Sequence, residues 1–126
     1  MSGEGGIPDI RARLAAVEAG GESVIAGEAI GGGRAITAEG LYPTAATLDL
    51  IIGITLGAAL SGAAASYVSA GVMEEAGWTW TPALPIYAGA LGVLTQTEPV
   101  GTMRRIGTAV TATKITVDLQ PTIYRS

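Results

Sequence analysis

The stretch Lys114-Ile-Thr-Val-Asp118 decides the fold class, because apolar and polar side chains alternate along it. In an extended strand this period of two places Ile115 and Val117 on one face and Thr116 on the other. The preceding run over 103–110 also contains Ile, Thr and Val, and the polar residues between the two runs are typical of a turn. The segment therefore predicts two neighbouring strands.

Outward from this stretch, further short runs are rich in Ile, Val, Thr and Tyr and are separated by Gly, Pro, Ser or Asp. They lie at residues 24–26, 35–37, 50–56, 66–69, 86–87, 93–95 and 122–124. Short strands at close spacing are typical of a small sandwich or barrel. We predict a mainly β protein, with a small β-sandwich or barrel-like domain over residues 22–126 preceded by a flexible arm and a short N-terminal helix within residues 1–21.

Glycine-containing segments mark the predicted turns. Residues 31–33 are three consecutive glycines, Ala90-Leu-Gly92 separates two predicted strands, and a turn is also expected over 69–71. The alanine-rich stretch over 57–65 leaves a helix open as an alternative. Ile52-Gly-Ile-Thr55 and Ile106-Gly-Thr-Ala109 are each followed by a turn and another strand, which indicates two related hairpins but is too short to establish a duplication.

The N-terminal segment carries a candidate oligomer interface. Pro8 near the start and Gly20-Gly21 at the end bound a predicted helix over residues 8–19. Its apolar residues follow a heptad-like spacing of 3, 4 and 3, at Ile7, Ile10, Leu14 and Val17. Two interpretations stay open: the stripe packs on the domain's own core, or it forms a short parallel bundle, which we expect to be a trimer.

Composition excludes several classes of function. The chain of 126 residues has no Cys and no His, so it lacks thiolate ligands, a disulfide framework and an ordinary catalytic triad. Seven basic residues against eleven acidic ones argue against a nucleic-acid partner. We predict no enzyme activity, no cofactor, no metal and no small-molecule substrate. Charged residues are only 14%, against about 25% in average domains, which favours a surface that is covered in an assembly.

Residues 50–73 carry no charged side chain and are long enough to span a bilayer. More than half of this run is Gly, Ala or Ser, and no Lys or Arg lies near either end. We therefore predict no membrane partner and keep a small membrane-associated protein as a remote alternative.

Trp78-Thr-Trp-Thr81 contains both tryptophans of the chain. If the segment is a strand, the two indoles share one face. Trp78, Trp80 and Tyr87 are candidate core or partner-contact residues, and the sequence leaves both interpretations open.

Several of these segments together resemble one protein family, over residues 24–119. The matching motifs are Gly33-Arg-Ala-Ile-Thr37, Ile52-Gly-Ile-Thr55, Trp78-Thr-Trp-Thr-Pro82, Leu84-Pro-Ile-Tyr87, Gly92-Val-Leu-Thr95 and Arg105-Ile-Gly107. In these motifs the chain resembles capsid decoration proteins of tailed bacteriophages, also called cement or head-fibre-like proteins.

The resemblance implies a structural virion protein on the capsid exterior, bound in many copies to the major capsid protein and commonly trimeric. Its role would be to stabilise the shell. The predicted N-terminal helix departs from the simplest members, and is interpreted either as a trimer stalk or as an arm that grips the capsid. A trimeric tail-fibre or receptor-binding module of a phage is the alternative, since it too would be a β-rich trimer.

Overall fold

The computed structural model describes residues 21–124, and the predicted N-terminal helix lies outside them. Within this part the chain is mainly β, as predicted, with 3-10 turns at Leu48–Leu50 and Ala90–Gly92. Its strands are β1 Gly21–Ile25, β2 Ala35–Thr37, β3 Ile51–Thr55, β4 Ala64–Val68, β5 Ala70–Glu74, β6 Pro85–Ala88, β7 Leu94–Thr95, β8 Arg105–Ala109 and β9 Lys114–Asp118.

The strands form two antiparallel sheets in a sandwich-like arrangement. The first sheet has the order β1-β4-β3-β2 and the second the order β5-β9-β8-β6-β7. The main core cluster joins Ile54 and Val68 of the first sheet to Ile86, Ile106 and Ile115 of the second. Each of these side chains is almost fully buried. Removal from water stabilises the folded state by about 1.5–3 kcal/mol for each of them.

The decisive stretch behaves as its alternation predicts. Ile115 and Val117 of β9 are buried in the main core, and Lys114 and Asp118 are exposed. The turn predicted at residues 90–92 is confirmed, because β6 and β7 form an antiparallel hairpin around it. The helix considered over 57–65 is wrong: residues 64–65 belong to β4 and the residues before them are not helical.

The two sheets repeat one four-stranded pattern. β1-β4-β3-β2 corresponds in order and direction to β5-β9-β8-β6, and β7 is added at the edge of the second sheet. Ile36 faces Gly53 across the β2–β3 pair, and Ile86 faces Gly107 across β6–β8. Each pair is followed by a register shift at the next residue of the first strand. The two hairpins that the sequence indicated as related, β3–β4 and β8–β9, are both antiparallel pairs and occupy equivalent places in this pattern.

A close backbone approach explains why both copies of the pattern have glycine at the same place. A Cβ atom on Gly53 would lie 2.4 Å from the carbonyl oxygen of Val68, and one on Gly107 would lie 2.5 Å from that of Thr116. Real Cβ atoms do not come so near to a carbonyl oxygen. Any larger residue would therefore have to push the neighbouring strand away.

The two copies use opposite faces in the packing between sheets. Ile36 and Tyr67 belong to a second, smaller cluster with Ala26 and Ile30, outside the main core. Their counterparts in the second sheet, Ile86 and Ile115, lie in the main core instead. The sheets therefore pack with non-equivalent faces in contact, and no twofold axis relates them.

The uncharged run over 50–73 forms β3, β4 and most of β5. A single residue, Ser69, carries the chain from the first sheet to the second. The turn expected over 69–71 is therefore confined to Ser69, because Ala70 and Gly71 pair with β9. Strands that change sheets at a bend form the corners of sandwiches. Among residues 21–124, no helix has the length and apolar character needed to cross a membrane.

The strand expected over 122–124 is reduced to one bridge. Ile123 exchanges two backbone hydrogen bonds with Met103, at 2.9 and 2.8 Å. This bridge follows Gln120, whose amide donates to the carbonyl oxygen of Arg105. The last described segment therefore runs back along the start of β8 without becoming a full strand.

Candidate partner-binding surface

Two long connections meet on one side of the sandwich. They are residues 38–50, between β2 and β3, and residues 89–104, between β6 and β8, and they occupy equivalent places in the repeated pattern. Together they line a groove of about 430 Å³, whose walls include Pro43, Ala45, Leu48, Ala90, Pro99 and Val100. We refer to residues 38–50 and 89–104 as the loop end.

A tight hairpin turn forms one wall of this groove. Leu91 has φ 55° and ψ 30°, and Gly92 has φ 72°. The amide of Val93 donates to the carbonyl oxygen of Ala90 at 3.1 Å and closes the turn. Two successive residues with positive φ are characteristic of a type I′ turn. The hairpin prediction for residues 90–92 thus acquires a specific geometry.

The hairpin is fixed to the first sheet as well as to its own. A Cβ atom on Gly92 would lie 2.4 Å from the carbonyl oxygen of Ala35, so the turn packs directly on the backbone of β2. Arg34 forms a β-bridge with Val93, and its guanidinium donates to the carbonyl oxygen of Leu91 at 3.4 Å. The same guanidinium lies 5.2 Å from the centre of the Tyr42 ring, in the range of a cation–π contact.

The loop end exposes several aliphatic side chains. Val100 is fully exposed, Leu91 is 63% exposed and Val93 is 46% exposed. The charged residues of these two connections are Glu39, Asp49, Glu98 and Arg104. Contiguous apolar surface on a small domain is typical of a site that contacts another molecule. Leu91 and Val100 both line the groove, so its rim carries exposed aliphatic side chains.

Arg104 ties the loop end to the rest of the molecule. Its Nη1 donates to the carbonyl oxygens of Leu48 at 2.8 Å and Ile51 at 3.1 Å, and its Nε donates to that of Gln120 at 2.7 Å. Burial lowers the pKa of the guanidinium, and the carboxylate of Asp49 opposes that shift. Sequence reasoning pointed to Arg104 or Arg105 as a partner for an acid on another subunit and missed these contacts, since an arginine at the start of a strand run carries no signal about distant carbonyl groups.

Asp49 also contacts the last described segment of the chain. The Tyr124 hydroxyl donates a hydrogen bond to its carboxylate, so the last described residue is held against the 3-10 turn at Leu48–Leu50. Arg104 and Tyr124 together connect the second copy of the pattern to the first. Of the residues that line the groove, Leu48 is the one whose carbonyl oxygen accepts from Arg104.

The tryptophans lie elsewhere, between β5 and β6. Residues 78–81 form no strand, so the expected reason for the indoles to share a face does not hold. Trp78 and Trp80 are half-buried and pack against the main core, with ring centres 5.7 Å apart and planes inclined by 54°. Both indoles thus contribute to covering the core, and the buried Nε1 of Trp80 has no hydrogen-bond partner among residues 21–124.

Tyr87 is not brought together with the tryptophans. It is buried on β6, between Ile86 and Ala88, which belong to the main core, so alternation turns it toward the other face. There it lines a separate recess with Met103 and Ile123. The candidate interface residues Ile7, Ile10, Leu14 and Val17 lie outside the described residues.

The part of the chain described by the structure contains no group of three or more Asp, Glu, His or Cys residues arranged to hold a metal ion. The chain matches no protein-family model, and comparisons with curated proteins and with solved structures find no similar protein.

Proposed function

We propose that this protein is a non-catalytic virion protein that decorates the outside of a tailed-bacteriophage capsid as a homotrimer and stabilises the shell by binding the major capsid protein. The observation that carries the proposal is the loop end, where exposed aliphatic side chains stand on a hairpin that is fixed to both sheets. A rigid apolar surface loses little conformational freedom on binding, which favours tight association.

Stabilisation follows from preferential binding. A protein that binds the assembled shell more tightly than the dispersed capsid subunits shifts the equilibrium toward the shell. Each contact can be modest, because several contacts per trimer and many copies per head multiply the effect through avidity. Contacts between aliphatic groups are also little affected by screening, so moderate salt should weaken attachment only slightly.

The test uses heads from which the protein has been stripped. Purified full-length protein and protein lacking residues 1–20 are added to separate samples, and bound protein and the temperature of DNA release are measured. We expect full-length protein to bind in many copies and to raise the release temperature, with little change between low and moderate salt. The shortened protein should bind less, because residues 1–20 carry the proposed trimer contacts.

Two results would contradict the proposal. If saturating full-length protein leaves the release temperature unchanged, it does not act as a cement. If labelled protein is found in a few copies at the tail rather than in many copies on the head, the tail-fibre or receptor-binding alternative is correct.

A further inference from the structure

The second sheet covers only part of the inner face of the first sheet. Val68, at the end of β4, lies in the main core, but Ala64 and Ser66, which alternation places on the same face, are exposed. On β1, Ser23 pairs with Ser66. Ile25 pairs with Ala64, and paired residues share a face of the sheet. Both β1 residues are exposed, so β1 and the start of β4 are left uncovered on this face.

Two aliphatic side chains stand on the uncovered area. Ile25 is 61% exposed and Leu56 is 44% exposed. The Leu56 amide donates to the carbonyl oxygen of Ser66 at 2.8 Å, which continues the β3–β4 ladder, and alternation from the core residue Ile54 places Leu56 on the same face. An exposed aliphatic surface without charge is typical of a contact site. We refer to this area as the uncovered face, which consists of Ser23, Ile25, Leu56, Ala64 and Ser66.

The chain that precedes the described residues joins the domain beside this face. β1 begins at Gly21, opposite Val68, so residues 1–20 reach the domain at one end of the uncovered face. The predicted helix over residues 8–19 would be about 18 Å long, at about 1.5 Å per residue. β1 is about 17 Å long, at about 3.4 Å per residue. Gly20-Gly21 allows the chain to reverse direction, and a helix that turns back there matches β1 in length.

The predicted helix has two uncharged sides. At about 100° per residue, the aliphatic stripe that carries the proposed trimer contacts lies opposite a side made of alanines. These alanines are Ala12, Ala15, Ala16 and Ala19, and the charged residues of the helix fall between the two sides. Alanine side chains allow a helix to approach a sheet closely. On the uncovered face, the small residues Ala64 and Ser66 lie on β4, between Ile25 on β1 and Leu56 beyond β3.

We propose that residues 8–19 form a helix whose alanine side packs on the uncovered face of its own chain, where Ile25 and Leu56 hold it. The aliphatic stripe then points away from the domain, toward two further copies. That second step rests on the trimer of the proposed function, whereas the packing of the helix on its own sheet does not. The inference thus identifies the first sheet as the side of the domain nearest to the trimer axis.

Trypsin cleavage after Arg11 and Arg13 measures the docking of the helix. Cleavage needs the helix to leave the sheet, so its rate follows the fraction of molecules with a released helix. Ile25→Glu places a charge beneath the helix and should raise the rate at least tenfold. Cleavage after Lys114, on β9, reports unfolding of the domain and should stay slow, because Ile25 is exposed in the described structure.

Val72→Glu is the matched control. Val72 is 60% exposed and, like Ile25, lies on an edge strand. It pairs with Thr116, between the core residues Ile115 and Val117, so it lies on the outer face of the second sheet. Val72→Glu should leave cleavage after Arg11 and Arg13 at the wild-type rate.

A pair of engineered cysteines identifies the side of the helix that faces the sheet, since the chain has no cysteine of its own. Ala16→Cys is combined with Ser66→Cys, because residue 16 of a helix that turns back at Gly21 lies at about the level of Ser66. A disulfide needs Cα atoms within about 7 Å. We expect mild oxidation to link this pair within one chain, at least tenfold faster than Leu14→Cys with Ser66→Cys, in which residue 14 lies on the aliphatic side.

Several results would overturn the inference. Unchanged cleavage after Arg11 and Arg13 in Ile25→Glu, or equally fast cleavage in Val72→Glu, would show that the uncovered face does not hold the helix. A disulfide between two chains would place the helix on a neighbouring copy, and faster linking of residue 14 would place the aliphatic stripe on the sheet. All these measurements use the free protein, so failure to bind stripped heads contradicts the proposed function and leaves this inference standing.

Discussion

Replacing Arg104 by leucine should be among the most destabilising single changes in the described part of the chain. Its guanidinium makes three hydrogen bonds to carbonyl oxygens, on Leu48, Ile51 and Gln120. A hydrogen bond from a charged donor contributes about 1.5–3 kcal/mol, but bonds of one side chain are not additive and water reaches a half-buried site. We therefore expect Arg104→Leu to lower the free energy of unfolding by about 2–4 kcal/mol.

Urea unfolding at neutral pH measures this loss directly, with the slope of the transition unchanged if the compactness of both states is preserved. Arg104→Lys keeps the charge, but the single ammonium nitrogen of lysine cannot replace the spread donors of the guanidinium at three carbonyl oxygens. It should therefore lower the free energy of unfolding by about half as much as Arg104→Leu. Arg105→Leu is the matched control, since that neighbouring side chain is exposed and donates one hydrogen bond to the Thr108 hydroxyl, at 2.6 Å. The reasoning is refuted if Arg104→Leu and Arg105→Leu have equal unfolding free energies.

Three further predictions concern stability and assembly. Gly53→Ala should lower the free energy of unfolding by about 1–3 kcal/mol through overpacking, as measured by urea unfolding. Gly57→Ala is the control and should be nearly neutral, because a Cβ atom there would have no described atom within 4 Å. Equal effects of the two substitutions would refute the argument. Burial, and then Glu22, raise the pKa of Tyr67 above its usual 10.0. The stability that the neutral Tyr67 hydroxyl contributes is therefore retained below pH 10.0 and lost as pH rises through the raised pKa. The difference between the unfolding midpoints at pH 8 and 11 should be smaller in Tyr67→Phe than in the wild type, and an unchanged difference would contradict this. Sedimentation should show a trimer that Leu14→Asp dissociates, and a monomer mass unaffected by that change counts against the trimer.

The hydrophobic alternation and turn residues of short segments were enough to predict the strands that pair with a neighbour in sequence. The alternation around Ile115 and the turn at Ala90–Gly92 each depend on neighbouring residues, so both could be predicted. Residues 78–81 show the limit of this reasoning. Trp and Thr favour strands, but a strand needs a continuous ladder of hydrogen bonds, and within residues 21–124 this segment pairs with no strand. The Trp80 amide donates a single backbone hydrogen bond, to Ala112.

The candidate surface was predictable only in pieces. The sequence indicated a turn at Leu91. It did not indicate that Leu91 has a left-handed conformation, that its side chain is exposed or that the turn packs on the backbone of β2. Arg104 was equally hidden, because its three carbonyl partners lie on segments far apart in sequence.

The sequence by itself determined that this is a mainly β protein with few charges and no His or Cys, since periodicity and composition are properties of the chain alone. Tertiary structure decided which faces are buried. Ile36 and Ile86 occupy equivalent places in the two copies of the pattern, yet only Ile86 lies in the main core. Equivalent strands carry similar side chains, but the two sheets pack with different faces toward each other. Which side chains are buried between the sheets therefore depends on contacts between segments that are distant in sequence.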